Sequence, residues 1–153
     1  MLPSQHIFFG GFFSLLIFLI FPWIGITGFL IIFFSSFLID GDHYIYYIFK
    51  KKDFNFFKAH KWYVQNEDFF WGLSRKERSR YYGGFFFLHG IEWLILFFLF
   101  AFFYYPFIFL FGGIGFHLLL DIIDEPRYWN RIDKVSIFYD FFKIKRLVLF
   151  NDY

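Results

Sequence analysis

At 153 residues the chain has the length of one domain, but 59% hydrophobic residues and 32 phenylalanines describe a protein whose solvent is lipid rather than water. It contains no cysteine, which excludes disulfides, thiolate nucleophiles and cysteine-ligated zinc. A net charge of +2 is too small to argue for nucleic acid as a partner, so the placement of the charges matters more than their sum.

The first apolar run, Ile7 to Ile39, carries no charge and would measure about 50 Å as one helix, well beyond a hydrocarbon core of about 30 Å. It should fold back at "FPWIG" (21–25), where Pro22 cannot continue a helix and Trp23 favours a membrane interface. Helices are expected over about 6–21 and 23–43. No basic stretch precedes the run and no small-residue cleavage pattern follows it, so it reads as a permanent membrane element rather than a signal peptide. A polar loop, 44–83, comes next. The second apolar run, Phe85 to Ile123, divides at "FYYPF" (103–107) into helices expected over about 84–104 and 107–124. The tail, 125–153, mixes aromatics with Lys and Arg, as an amphipathic segment on anionic headgroups would. The fold class is therefore all-α: an integral membrane bundle of four short transmembrane helices in two hairpins, with an interfacial tail.

Lys50 to Arg80 holds nine basic residues and the tail the remaining six, while both hairpin turns hold none. The positive-inside rule then places the loop and both termini on the cytoplasmic side of the inner or plasma membrane.

This topology brings the scattered polar residues to one depth. His6 opens the first helix, Asp40, Asp42 and His43 end the second, His89 and Glu92 start the third, and His117 and Asp121 lie near the end of the fourth. His89 and Glu92 are spaced i, i+3, and His117 and Asp121 i, i+4, so each pair shares a helix face. A charged group inside a span costs about 2.5 kcal/mol or more unless paired or wet, which favours a shared site over eight unrelated residues. Imidazole and carboxylate without thiolate suit zinc, manganese or iron, and the set exceeds the three protein ligands of a single catalytic zinc, so a di- or trinuclear centre is expected. The competing readings are a metal-free polar network joining helices, and a metal-binding transporter, whose ligands should sit at the bilayer midplane.

"HIFFGG" (6–11), "SFLIDGDH" (36–43), "LHGIEW" (88–93) and "GFHLLLDIID" (115–124), in this order, resemble the motifs of the small membrane-bound, metal-dependent hydrolases described as LexA-binding, inner-membrane-associated hydrolases. The likeness extends to about Glu125. Two departures stand out: Ile39 replaces a proline before the Asp-x-Asp-His motif, and Gly90 replaces a serine after the third-helix histidine. The resemblance implies metal binding by His6, Asp40, Asp42, His43, His89, His117 and Asp121, with Glu92 added from its helix position. It also implies a distant relation to zinc-dependent phospholipase C and the P1-type nucleases. The expected reaction is hydrolysis of a phosphate ester, a lipid headgroup in the first instance, with Glu92 or Asp42 as general base and Lys and Arg of the central loop or the tail, His60 and Lys61 being the residues singled out, holding the anionic substrate.

Overall fold

The structure, a computed structural model, describes residues 3–129 and 132–149, with the side chains of 128, 129, 148 and 149 left aside. It is mostly helical. In chain order it comprises α1 (Pro3–Ile20), a 3-10 turn (Pro22–Ile24), α2 (Gly25–Leu38), α3 (Gly41–Lys51), α4 (Phe56–Gly72), α5 (Arg75–Arg78), β1 (Tyr81–Tyr82), α6 (Ile91–Ala101), α7 (Phe107–Trp129), α8 (Ile137–Ile144) and β2 (Val148–Leu149). The two short strands pair in parallel, Tyr81 opposite Val148.

Among the described residues, three segments are long and apolar enough to cross a membrane: Pro3–Ile20, Pro22–Lys51 and Phe107–Arg127. The eleven residues of α6 span only about 16 Å, roughly half the hydrocarbon thickness. The outward surfaces are apolar, with Phe8, Phe12, Leu19, Trp23, Ile26, Phe102 and Phe103 all exposed.

α1, α2 and α7 pack through small residues, as expected where lipid outside is as apolar as the helices and close approach supplies the attraction. A Cβ on Gly10 would lie 1.9 Å from Ser36 Oγ, and one on Gly113 would lie 2.0 Å from Ser35 Oγ and 2.5 Å from Ile32 O. Both serines donate to carbonyls of their own helix, Ser35 to Ile31 and Ser36 to Phe33, so neither hydroxyl is stranded in the apolar interior. Ile24, Ile32 and Phe109 form one core cluster, and Ile39, Ile114 and Leu118 a second beneath the polar end.

Four sequence expectations change. The second helix breaks at Ile39–Asp40, where Asp40, Asp42 and His43 donate their N–H groups three residues back, to Phe37, Ile39 and Asp40. The third helix begins at Ile91 rather than near 84, because the preceding turn is held from outside: Leu88 N donates to Asp42, and Trp93 Nε1 to Phe87 O. The fourth continues to Trp129 through Pro126. The loop 44–83 is largely helical, its α4 capped by Asn55 accepting from Lys58 N and its α5 by a Ser74–Glu77 capping box. Tail residues 137–144 form α8, with Phe138, Tyr139, Phe141 and Phe142 exposed.

Candidate metal centre

Five elements deliver polar side chains to one point. His6 comes from α1, Asp40 from the α2–α3 break, Asp42 and His43 from the first turn of α3, His89 from the turn before α6, and His117 and Asp121 from α7. The side chains of His6, His89 and His117 are inaccessible to solvent.

The neighbours fix which nitrogen of two imidazoles carries a lone pair. His117 Nδ1 lies 2.9 Å from Ser36 O, and a carbonyl can only accept, so Nδ1 carries the proton. His89 Nδ1 lies 3.0 Å from Asp42 Oδ2 and donates to it. Both Nε2 atoms are left as acceptors, yet they face each other at 3.0 Å. Two lone pairs at that distance repel unless a positive charge sits with them. A proton on one ring would satisfy that pair alone; a divalent cation would satisfy more, because two carboxylate oxygens converge on the same place.

Asp40 Oδ1 is 3.4 Å from His89 Nε2 and 3.7 Å from His117 Nε2, and Asp121 Oδ2 is 3.6 Å and 3.4 Å from the same atoms. A tetrahedral shell with metal–ligand distances of about 2.0–2.1 Å has ligand–ligand edges of about 3.3–3.4 Å. The observed spacings bracket that edge. The other oxygens of the two carboxylates turn toward His6, whose Nε2 is 3.2 Å from Asp121 Oδ1 and 3.9 Å from Asp40 Oδ2. Neither ring nitrogen of His6 has a hydrogen bond of good geometry among the described residues, and Asp40 Oδ2 is likewise buried without one. Buried polar groups left this way are rare unless something else meets them. The donors can hold a metal ion in three overlapping groups: His6, Asp40 and His117; Asp40, His43 and His89; and His89, His117 and Asp121.

Other expected site residues fall elsewhere. Asp42 is spent on orientation: Oδ1 accepts from His43 Nδ1 at 3.0 Å, and Oδ2 from Leu88 N and His89 Nδ1, both at 3.0 Å. It stands behind the ligands, so its expected roles as ligand and base are corrected. Glu92 accepts from Ser136 Oγ at 2.5 Å and from Ile137 N at 3.0 Å, anchoring the start of α8. Its carboxylate faces the tail because the late start of α6 leaves His89 off the helix, so the pair shares no helix face, and the expectation of Glu92 as ligand or base is corrected as well. His43 lies at the centre, but its Nδ1 is held by Asp42 and its Nε2 is 3.3 Å from Lys134 Nζ. His60 is exposed at the rim of the adjoining cavity; Lys61 is exposed and does not line it.

Two residues were not singled out from the sequence, although a cation from the tail was among the expectations. Glu125 stands four residues after Asp121, continuing the face begun by His117, and this spacing could have revealed it; it is buried, and its Oε2 accepts from Asp133 N at 2.7 Å. Lys134 reaches in from the tail, with Nζ 3.6 Å from Asp121 Oδ2 and 4.0 Å from Glu125 Oε1. Burial works against its ammonium, but the carboxylates of Asp121 and Glu125 outweigh that and hold it above the ordinary lysine range. Nothing local in the sequence marks it.

A cavity of about 420 Å³ opens onto this cluster, its lining including Asp40, His43, Phe86 and Lys134 together with the α4 aromatics Trp62, Tyr63 and Phe70. Tyr63 ties α4 to the site by donating to His43 O at 2.7 Å. No family profile, curated protein or solved structure matches this chain.

Proposed function

We propose that the protein is an integral membrane hydrolase that uses divalent metal, zinc in the first instance, to cleave a phosphate ester on an amphiphilic substrate at the cytoplasmic face. The observation that carries this reading is the convergence of the His89 and His117 Nε2 lone pairs with Asp40 Oδ1 and Asp121 Oδ2 at the spacing of a coordination shell. His89, His117, Asp40 and Asp121 would hold one ion, and the opposite oxygens of Asp40 and Asp121 with His6 a second. An ion so held acts as a Lewis acid, which makes water a usable nucleophile near neutral pH and offsets charge on a phosphate.

The chain's own groups divide the remaining work. Asp42 and Ser36 O keep His89 and His117 in the tautomer that presents Nε2. Asp40 lines the cavity, so the ions that it would help to hold would be open to substrate from that side. The aromatic wall of α4 excludes water and receives the apolar part of the substrate. In this reading α6, extended by its flanking aromatic residues, is a fourth and shallow membrane element, and the basic loop and tail keep both termini cytoplasmic. The ordered motifs support this reading by their resemblance to those of the membrane-bound, metal-dependent hydrolases, and through them to the zinc phospholipases.

The test is hydrolysis of phospholipid, isoprenoid phosphate and simple phosphodiester substrates by purified chain with zinc or manganese. Activity lost to chelator and in His117→Ala, with the fold retained, is the expected result. Stoichiometric metal without turnover on any of these would leave a metal-dependent structural or transport role and refute the hydrolase.

A further inference from the structure

The segment that carries Lys134 is pinned on both sides. Glu125 Oε2 accepts from Asp133 N, Ile91 N donates to Val135 O at 2.8 Å, Glu92 accepts from Ser136 and Ile137, and Lys143 Nζ donates to Ile132 O at 2.8 Å. Between these anchors Lys134 has φ 55°, a left-handed conformation that a residue with a side chain adopts only at a cost. Strain of this kind persists where the surroundings over-determine it. The consequence is an ammonium delivered to the wall of the cavity, over the Phe86 ring at 5.2 Å and against His43, Asp121 and Glu125.

Its position differs from that of an ordinary buried ion pair. Asp121 Oδ2, one of its carboxylate partners, is also a member of the His89–His117 shell, so an ion there would share that oxygen and weaken its hold on the lysine. His43 Nε2 is a neutral acceptor, because its Nδ1 already donates to Asp42. That leaves Glu125, 4.0 Å away, with the more distant carboxylates of Asp40 and Asp42, beside an ammonium that faces the cavity. Three donors on a compact charge suit a tetrahedral phosphate oxyanion.

We propose that Lys134 binds the anionic phosphate group of the substrate, acting beside the metal rather than as part of the scaffold. This rests on the metal-centre reading above and assigns the residue that recognises the substrate within it. Of the two expected sources of a substrate-holding cation, the loop with His60 and Lys61 and the tail, it assigns the role to the tail.

The test uses the full-length chain in detergent, loaded with zinc and freed of excess, and titrated calorimetrically with inorganic phosphate and, separately, with dihexanoyl phosphatidic acid. The two ligands distinguish free from lipid-borne phosphate. Lys134→Met should bind at least one of them tenfold or more weakly with zinc content unchanged, while Lys134→Arg keeps most of the affinity. If Lys134→Met fails to fold, Lys134→Gln takes its place. Unchanged affinity in the neutral variant overturns the assignment, as does simultaneous loss of zinc, which would make Lys134 structural, or a wild-type chain that binds neither ligand. A wild-type chain that takes up no zinc yet shows Lys134-dependent phosphate binding sinks the metal reading and leaves this one standing.

Discussion

Asp42→Asn separates orientation from ligation. The carboxylate accepts three hydrogen bonds, from His43 Nδ1, His89 Nδ1 and Leu88 N, and an amide of the same shape has one oxygen to offer and an NH₂ that donates. Leu88 N and His89 Nδ1 meet the same oxygen, Oδ2, so an amide oxygen there keeps both while the NH₂ forces His43 to flip tautomer; an NH₂ there instead strands the Leu88 N–H and makes His89 Nδ1 an acceptor, its proton moving to Nε2. That proton then occupies the position facing His117 Nε2, 3.0 Å away, and removes the ligand lone pair. Loss of such an outer partner lowers metal affinity about 10–100-fold, or about 1.4–2.8 kcal/mol, whereas loss of a direct ligand such as His117 should cost more. Zinc affinity measured by competition with a chromophoric chelator, alongside circular dichroism to establish the fold, gives the number. Unchanged affinity in a folded Asp42→Asn chain would mean that the amide oxygen has kept His89; a folded Asp42→Ala chain, which offers His89 no acceptor, that binds zinc as tightly as wild type would refute the tautomer argument.

Other substitutions probe the scaffold. Gly113→Ala should lower stability by about 1–3 kcal/mol, because its methyl meets the Ile32 carbonyl, which cannot swing aside as the Ser35 hydroxyl can; thermal unfolding in detergent reads this, and an unchanged midpoint would contradict the packing. Glu92→Ala should release the start of α8, costing about 2 kcal/mol and increasing hydrogen exchange at Ile137 and nearby amides while leaving zinc content intact; loss of zinc instead would return Glu92 to the ligand set. Stripping metal with chelator should lower the unfolding midpoint, since an ion held a thousandfold above its dissociation constant contributes about 4 kcal/mol, and adding zinc back should restore it. A midpoint indifferent to chelator would mean that the cluster is satisfied by protons and Lys134 alone.

Much of the site was legible because its strongest signals were local. The i, i+4 spacing of His117 and Asp121 survives intact on α7, and His6 and Asp40 gave themselves away as polar groups at the ends of uncharged runs. The errors arose where tertiary contacts reshaped the backbone. Asp40 and Asp42 look equivalent in "DGDH", but the tight turn at the α2–α3 break aims Asp40 into the cluster and leaves Asp42 behind the imidazoles. The pairing of His89 with Glu92 assumed a helix that begins only at Ile91, since Asp42 holds the preceding turn open through Leu88 N. The helices within 44–83 were masked by polar composition, although Asn55 and the Ser74–Glu77 box are start signals of the ordinary kind. Lys134 had no such marker: its role depends on a tail folded back by Glu92 and Glu125, and nothing in neighbouring residues encodes that.

X-ray absorption at the zinc edge, on chain purified without chelator and reconstituted with zinc, tests the metal centre most directly. The account predicts stoichiometric uptake into a shell of nitrogen and oxygen at about 2.0–2.1 Å with outer scattering from at least two imidazoles, weakened in His117→Ala. A folded wild-type chain that takes up no stoichiometric zinc, or whose zinc shows no imidazole in its shell, would contradict it.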